Sequence, residues 1–232
     1  MIECTDFTFT PITDRDLEVD LYRYLEYGCS ASAPSAVRKS IHRAIVDFTG
    51  LTRPAFTCRT TEVTAVTEDH IQTVDELDIH SQRLCAMASH TSQPSYITAY
   101  AITLGSEIDD LITERQKESM LDAYITDAAG SVIIEQYIDQ LHRHLEREYD
   151  KKGWTITERF SPGYCDWDIR EGQKELFSFL EPGEMGIHIL PSSAMMPQKS
   201  VTAIIIGAEN IPYKTPCPFC NYTGCSHRKI VD

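Results

Sequence analysis

The chain has 232 residues, 42% hydrophobic and 24% charged, with a formal net charge of -14. This is enough for one large soluble domain, or two small ones, with a core that needs no staples. The acidity argues against a phosphate backbone or an anionic membrane surface as the main partner, since both want clustered Lys and Arg; no nucleic-acid and no membrane partner is expected.

No stretch approaches the roughly 20 apolar residues of a membrane span. The segment Met1 to Phe9 carries Glu3 and Asp6 without a basic start, so it does not read as a signal peptide, and the expected location is cytoplasmic. In that compartment eight cysteines are expected to be free thiols rather than disulfides. Cys4, Cys29, Cys58, Cys85 and Cys165 are scattered, whereas Cys217, Cys220 and Cys225 are clustered.

In chain order, Ile2 to Phe9 alternates as a strand. Thr13 or Asp14 caps a helix toward Tyr27 that Gly28 ends, with Leu17, Leu21 and Leu25 on one face. Ser35 opens a second helix to about Phe48, with Val37, Ile41 and Ile45 facing the core and Gly50 as its stop. From Pro54 to about Ile79 the pattern is β, turning at Glu68-Asp69; a short helix spans Ser81 to Ser89. Tyr96 to Leu104 is nearly all apolar and reads as a buried strand.

Glu107 to Tyr124 is amphipathic, and a longer helix runs to about Tyr149. The small residues Ala128-Ala129-Gly130-Ser131 lie inside or beside it, where they allow close helix packing or the approach of a ligand. His142 and His144, two residues apart, do not share a helix face and are read as solvated or structural. Lys151-Lys152-Gly153 breaks the helix, Trp154 to Phe160 alternates as a strand, Ile169 to Leu180 is helical, and Pro182-Gly183 turns. Ile187 to Leu190 and Ser193 to Met196 are short extended pieces, and Lys199 to Gly207 is a buried strand. The mixed order of strands and helices points to an α+β fold, a mixed antiparallel sheet flanked by helices.

The densest chemistry lies between Arg159 and Trp167. Pro162-Gly163 reads as a tight turn, often type II, that leaves backbone groups free for a ligand. Arg159 can grip a carboxylate with two parallel hydrogen bonds, and Tyr164 and Trp167 can cover a planar or cationic group. On local chemistry alone a ligand turn and a plain surface turn are equal readings.

Arg159-x-Ser161-Pro162-Gly163-Tyr164 resembles the Arg-x-Ala-x-Gly-Tyr signature of the activation domain of cobalamin-dependent methionine synthase, and Tyr164-Cys165-Asp166-Trp167 resembles its short stand-alone relatives. Three further pieces fall in order: Asp127 to Ser131 followed by Glu135, Leu141-His142-x-x-Leu145-x-x-Glu148-Tyr149, and Met196-Pro197-x-Lys199-Ser200-Val201-Thr202. The resemblance covers about 97 to 207. It implies an N-terminal α/β portion over 1–95 packed on a ligand-binding core over 96–212; residues 213–232 read separately as a Cys-rich tail.

It also implies that S-adenosylmethionine is bound by Arg159, Ser161, Pro162, Gly163 and Tyr164, with Trp167, Lys199 and Ser200 as further ligand or corrinoid contacts. The implied activity is methyl transfer from S-adenosylmethionine to a reduced cobalamin, which reactivates a cob(II)alamin cofactor. No Asp-x-His-x-x-Gly motif is present, so the cobalamin is expected on a partner methionine synthase core or other corrinoid protein, with a reductant such as flavodoxin or ferredoxin. The competing class is a non-catalytic S-adenosylmethionine sensor or assembly factor with a metal-binding tail. Ser161 departs from the family's Ala, and Cys165 from the Gly or Pro that relatives often carry.

Cys217-x-x-Cys220-x4-Cys225-x-His227 has spacing for zinc or an iron–sulfur cluster. Cys165 is an alternative fourth ligand if the tail folds over the main motif. A tail of reduced thiols is the plain alternative.

Overall fold

A computed structural model describes residues 7–48, 51–222 and 224–225. Its centre is a six-stranded sheet in the order β3-β2-β1-β4-β8-β5, every pairing antiparallel. The strands are β1 (Ala55–Val66), β2 (His70–Thr73), β3 (Asp78–His80), β4 (Ser95–Thr103), β5 (Thr155–Ile156) and β8 (Ser200–Ala208). A separate hairpin joins β6 (His188–Ile189) to β7 (Met195–Met196). The helices are α1 (Asp14–Tyr24), α2 (Ser35–Phe48), α3 (Gln82–Ala88), α4 (Glu107–Glu118), α5 (Met120–Asp150) and α6 (Ile169–Leu180). The fold is α+β, as the mixed order of elements implies.

Both faces of the sheet are covered, which is why β4 and β8 read as continuous apolar runs. Tyr100, Ile102, Ala203 and Ile205 face a core built with α1, α2, α4 and α5. Ile97, Ala99, Ile204 and Ile206 face a second core with α3, α6 and the β2–β3 hairpin. The sheet crosses the boundary drawn at residue 95: β1 pairs with β4 from Ala55↔Thr103 to Glu62↔Tyr96.

Gly207 explains how the long helix sits so close to the sheet. A Cβ there would lie 2.0 Å from Tyr149 Cε1. Tyr149 is fully buried, and its hydroxyl is 2.8 Å from Thr98 Oγ1, itself 2.8 Å from Thr60 Oγ1. The helix therefore packs its last turn against a strand position that only glycine fits.

Several expectations shift. The helix predicted over Glu107 to Tyr124 is broken at Ser119, whose Oγ accepts the Asp122 N–H and caps α5. Arg43 bridges Glu118 and Asp122 across that break, and Arg115 bonds Asp47 of α2. Residues 7–9 form no strand; residues 2–6 and the stop at Gly50 lie outside the described residues. The first helix ends at Tyr24, three residues short of Tyr27, and Gly28 follows at φ +69°.

The strand predicted over Trp154 to Phe160 is regular only at Thr155–Ile156, then resumes as a bridge between Phe160 and Ile204. Between them the Thr157 Oγ1 accepts the Ile206 N–H in place of a ladder bond. Cys58 is disulfide-bonded, against the expectation of free thiols, to a partner that is not among the described residues. Scattered sequence positions hid the pairing, because distance along the chain says nothing of distance in the fold. No described helix is long and apolar enough to cross a membrane.

Candidate functional site

The irregular strand before the turn delivers its side chains to opposite cores. Phe160 is buried in the α3–α6 core. Arg159 points the other way, toward α5, where its Nη2 donates to Glu135 Oε2 at 2.5 Å. Its Nη1 is buried with no hydrogen-bond partner. The Tyr100 hydroxyl, also buried without a partner, lies close to the guanidinium without making a well-formed bond to it. Burial works against the Arg159 charge, but Glu135 and Tyr100 outweigh it and hold the pKa above its ordinary value.

Ser161 to Tyr164 forms the predicted turn. Gly163 sits at φ +94° and the Tyr164 N–H donates to the Ser161 carbonyl at 3.1 Å, as in a type II turn. The Gly163 N–H donates to the Trp167 carbonyl at 2.8 Å, and the Trp167 N–H to the Tyr164 carbonyl at 3.1 Å. The expectation of free backbone groups is thus half met. The donors of Gly163 and Tyr164 are used inside the turn, whereas among the described residues nothing donates to the carbonyls of Pro162 and Gly163. The corner offers acceptors.

Asp166 locks this turn to α3. Its Oδ1 accepts the Ser81 hydroxyl at 2.5 Å, and its Oδ2 accepts the Arg83 N–H at 3.3 Å, at the helix N-terminus. Asp168 caps α6 by accepting from Arg170 and Glu171. Trp167 is 2% exposed and packs against Gly172 of α6. The sequence suggested a ligand or corrinoid contact for Trp167; its ring is buried, with Nε1 lacking a hydrogen-bond partner. Tyr164, 52% exposed, remains accessible.

Lys199 and Ser200, also suggested as ligand or corrinoid contacts, are engaged within the fold. Lys199 is 8% exposed, and its Nζ meets Asp127 Oδ1 at 2.7 Å and Ser131 Oγ at 2.9 Å. A Cβ on Gly130 would lie 2.9 Å from Lys199 Cε, so the small-residue patch exists to let the lysine stem cross α5. Ser200 Oγ lies 2.7 Å from the Pro197 carbonyl and 2.8 Å from Thr103 Oγ1. His144 is structural, as expected, stacked on Phe7 at 4.7 Å. The pKa of His142 is lowered by burial.

At the tail, Cys217–Phe219 forms one 3-10 turn against α3. Phe219 lines an open groove of about 840 Å³ shared with Arg83, Cys85 and Asp166. Cys165 occupies φ +56°, a conformation that costs a side-chain-bearing residue roughly 1 kcal/mol. Its thiol is pushed up to about 11, first by burial and then by the charges of Cys220, Asp166 and Cys217. The tail therefore does fold toward the turn, yet the described cysteines do not gather into a compact ligand group. His227 lies outside the described residues.

Sequence reasoning assigned no role at the site to Glu135 or Tyr100. They stand 24 and 59 positions before Arg159, and only the packing of α5 and β4 brings them to it. Glu135 was visible as part of the ordered helix motif; Tyr100 left no signal beyond a buried strand.

No protein-family model matches the chain, and no curated protein sequence matches it. Among solved structures it is similar to the MetH reactivation domain bound to AdoHcy. The TM-score is 0.54 at 15% identity, over 85% of this chain and 70% of that one. The chain therefore has the fold of the MetH reactivation domain.

Proposed function

We propose that the chain binds S-adenosylmethionine at the Arg159 turn and supports reductive methylation of a cobalamin carried by a partner, a methionine synthase core or another corrinoid protein. The observation that carries this reading is the buried, unpartnered Nη1 of Arg159 beside a Pro-Gly corner. A buried guanidinium nitrogen without an acceptor is costly, and a ligand carboxylate would satisfy it. Glu135, already at Nη2, gives the ligand's ammonium a counter-charge, so the Arg–Glu pair complements an α-amino acid zwitterion. The free carbonyls of Pro162 and Gly163 suit amino hydrogens, and exposed Tyr164 offers a stacking face. Ser161 shapes the turn through its carbonyl. The likeness of fold to the AdoHcy-bound MetH reactivation domain supports the same ligand class.

The chemistry asks for alignment. A methyl group leaving a sulfonium for a reduced cobalt leaves a neutral thioether, and no proton moves. No general acid or base is required of this chain; it holds the sulfonium in line and excludes water. The electron that regenerates reduced cobalamin comes from a partner of the flavodoxin or ferredoxin class. In the tail, Cys217, Cys220 and Cys225 with Cys165 or His227 form the candidate zinc or iron–sulfur ligand set. Cys165 is the fourth ligand we favour, because its thiol lies within electrostatic reach of Cys220 and Cys217.

The test is anaerobic methylation of a corrinoid protein with S-adenosylmethionine and a reductant. Methylcobalamin formation that depends on this chain and fails with Arg159→Ala is the expected result. Ligand binding without methyl transfer to a verified partner would favour the sensor class.

A further inference from the structure

On the far side of the sheet, the β2–β3 hairpin gathers a second set of chemistry-bearing side chains. His70 and His80 are direct cross-strand partners, and Asp78 stands two residues before His80 on the same face. His70 Nδ1 lies 3.1 Å and 3.2 Å from the two Asp78 oxygens, and His80 Nε2 lies 3.5 Å from Asp78 Oδ2. The two imidazoles sit 3.8 Å apart, centroid to centroid. One ligand atom from each residue falls within 4.8 Å of the others, the only such group of three among the described residues. On α6, which packs on β3, Glu175 has its Oε2 buried without a partner, within electrostatic reach of all three residues.

We propose that His70, Asp78 and His80, with Glu175 as fourth donor, bind one divalent transition-metal ion, zinc by ligand type. Asp69 adds a further carboxylate, its Oδ2 3.7 Å from His70 Nε2, so two imidazoles face Asp78, Asp69 and Glu175. A dication would offset this concentration of negative charge while neutral imidazoles and carboxylates serve as its ligands. Zinc–nitrogen distances of about 2.0–2.1 Å imply about 3.3 Å between donor atoms in a tetrahedron. The His70–Asp78 and His80–Asp78 separations, 3.1 Å and 3.5 Å, are already close to this. His70, Asp78 and His80 are 30%, 35% and 42% exposed, so an ion has an entry path. Bound there, it would clamp the edge hairpin to α6, whose Gly172 supports Trp167 behind the ligand turn.

The test uses the full chain with Cys217, Cys220 and Cys225 replaced by Ser, which silences the tail. Titration calorimetry with Zn²⁺ should give one equivalent, lost in a further His70→Ala/His80→Ala variant. Co²⁺ should give visible bands without thiolate charge transfer. In the histidine-intact protein, Zn²⁺ should move the imidazole NMR signals of His70 and His80 and leave those of exposed His42 and His188. No bound equivalent in the Cys-to-Ser protein, its retention after loss of both histidines, or unmoved His70 and His80 signals would each overturn the site.

Discussion

Gly172→Ala sets two opposed effects against each other at the support of the ligand turn. In an open helix, Gly to Ala gains roughly 0.5–1 kcal/mol from backbone entropy and propensity. Here the new methyl would stand 2.6 Å from Trp167 Nε1, 2.8 Å from Trp167 Cε2 and 2.9 Å from Pro162 Cβ. Comfortable carbon contacts are about 3.5–4.0 Å, so something near 1 Å must be found on two sides at once. Trp167 is 2% exposed, its N–H and C=O are both bonded within the turn, and Pro162 is buried, so neither yields cheaply. Overpacking of this kind costs about 1–3 kcal/mol, and the expected net loss is about 1–2 kcal/mol. Urea denaturation followed by far-ultraviolet circular dichroism measures it. A variant more stable than wild type by the helix-propensity gain would refute the packing of Trp167 and Pro162 on α6.

Three further outcomes follow from other parts of the molecule. Burial, with Asp78 and Glu171 adding and His80 and His70 opposing, raises the Glu175 carboxyl from 4.5 to about 7. The folded state then keeps a proton between those values that the unfolded chain has released. Stability of chelator-treated protein should therefore fall as pH rises from about 4.5 to about 7, and Glu175→Gln should abolish that fall; a pH-independent difference between the two would contradict it. Asp127→Ala strands the Lys199 ammonium, 8% exposed, with Ser131 alone, and should cost about 1–3 kcal/mol in urea denaturation, more than Lys199→Met. Iodoacetamide near neutral pH, read by mass spectrometry, should label Cys29 well before Cys85. Cys29 is exposed and its pKa is lowered, chiefly by the Ser32 hydrogen bond, whereas Cys85 is buried and its thiol is pushed up to about 11.

What the sequence disclosed depended on how local the cause was. α2 and α6 begin and end where the periodicity placed them, because each carries an apolar stripe, and Asp168 caps α6. The break at Ser119 was missed because no Gly or Pro marks it; the Ser119-x-x-Asp122 capping pattern was the available signal. The turn at Pro162-Gly163 was legible from residue type alone. The contacts that Trp167, Lys199 and Ser200 make were not, because they depend on what lies across from each: Gly172, Asp127 with Ser131, and Thr103. The His70–Asp78–His80 group was invisible for the same reason, since it needs the β2–β3 register before the two histidines become neighbours.

The central claim is most directly tested by isothermal titration of the full chain with S-adenosylmethionine. Saturable one-to-one binding is predicted for the wild type, with Arg159→Ala weakened by about 30-fold or more, the loss of a charge-assisted carboxylate contact of about 2–3 kcal/mol. No binding by the wild type, or equal affinity in Arg159→Ala, would contradict the account.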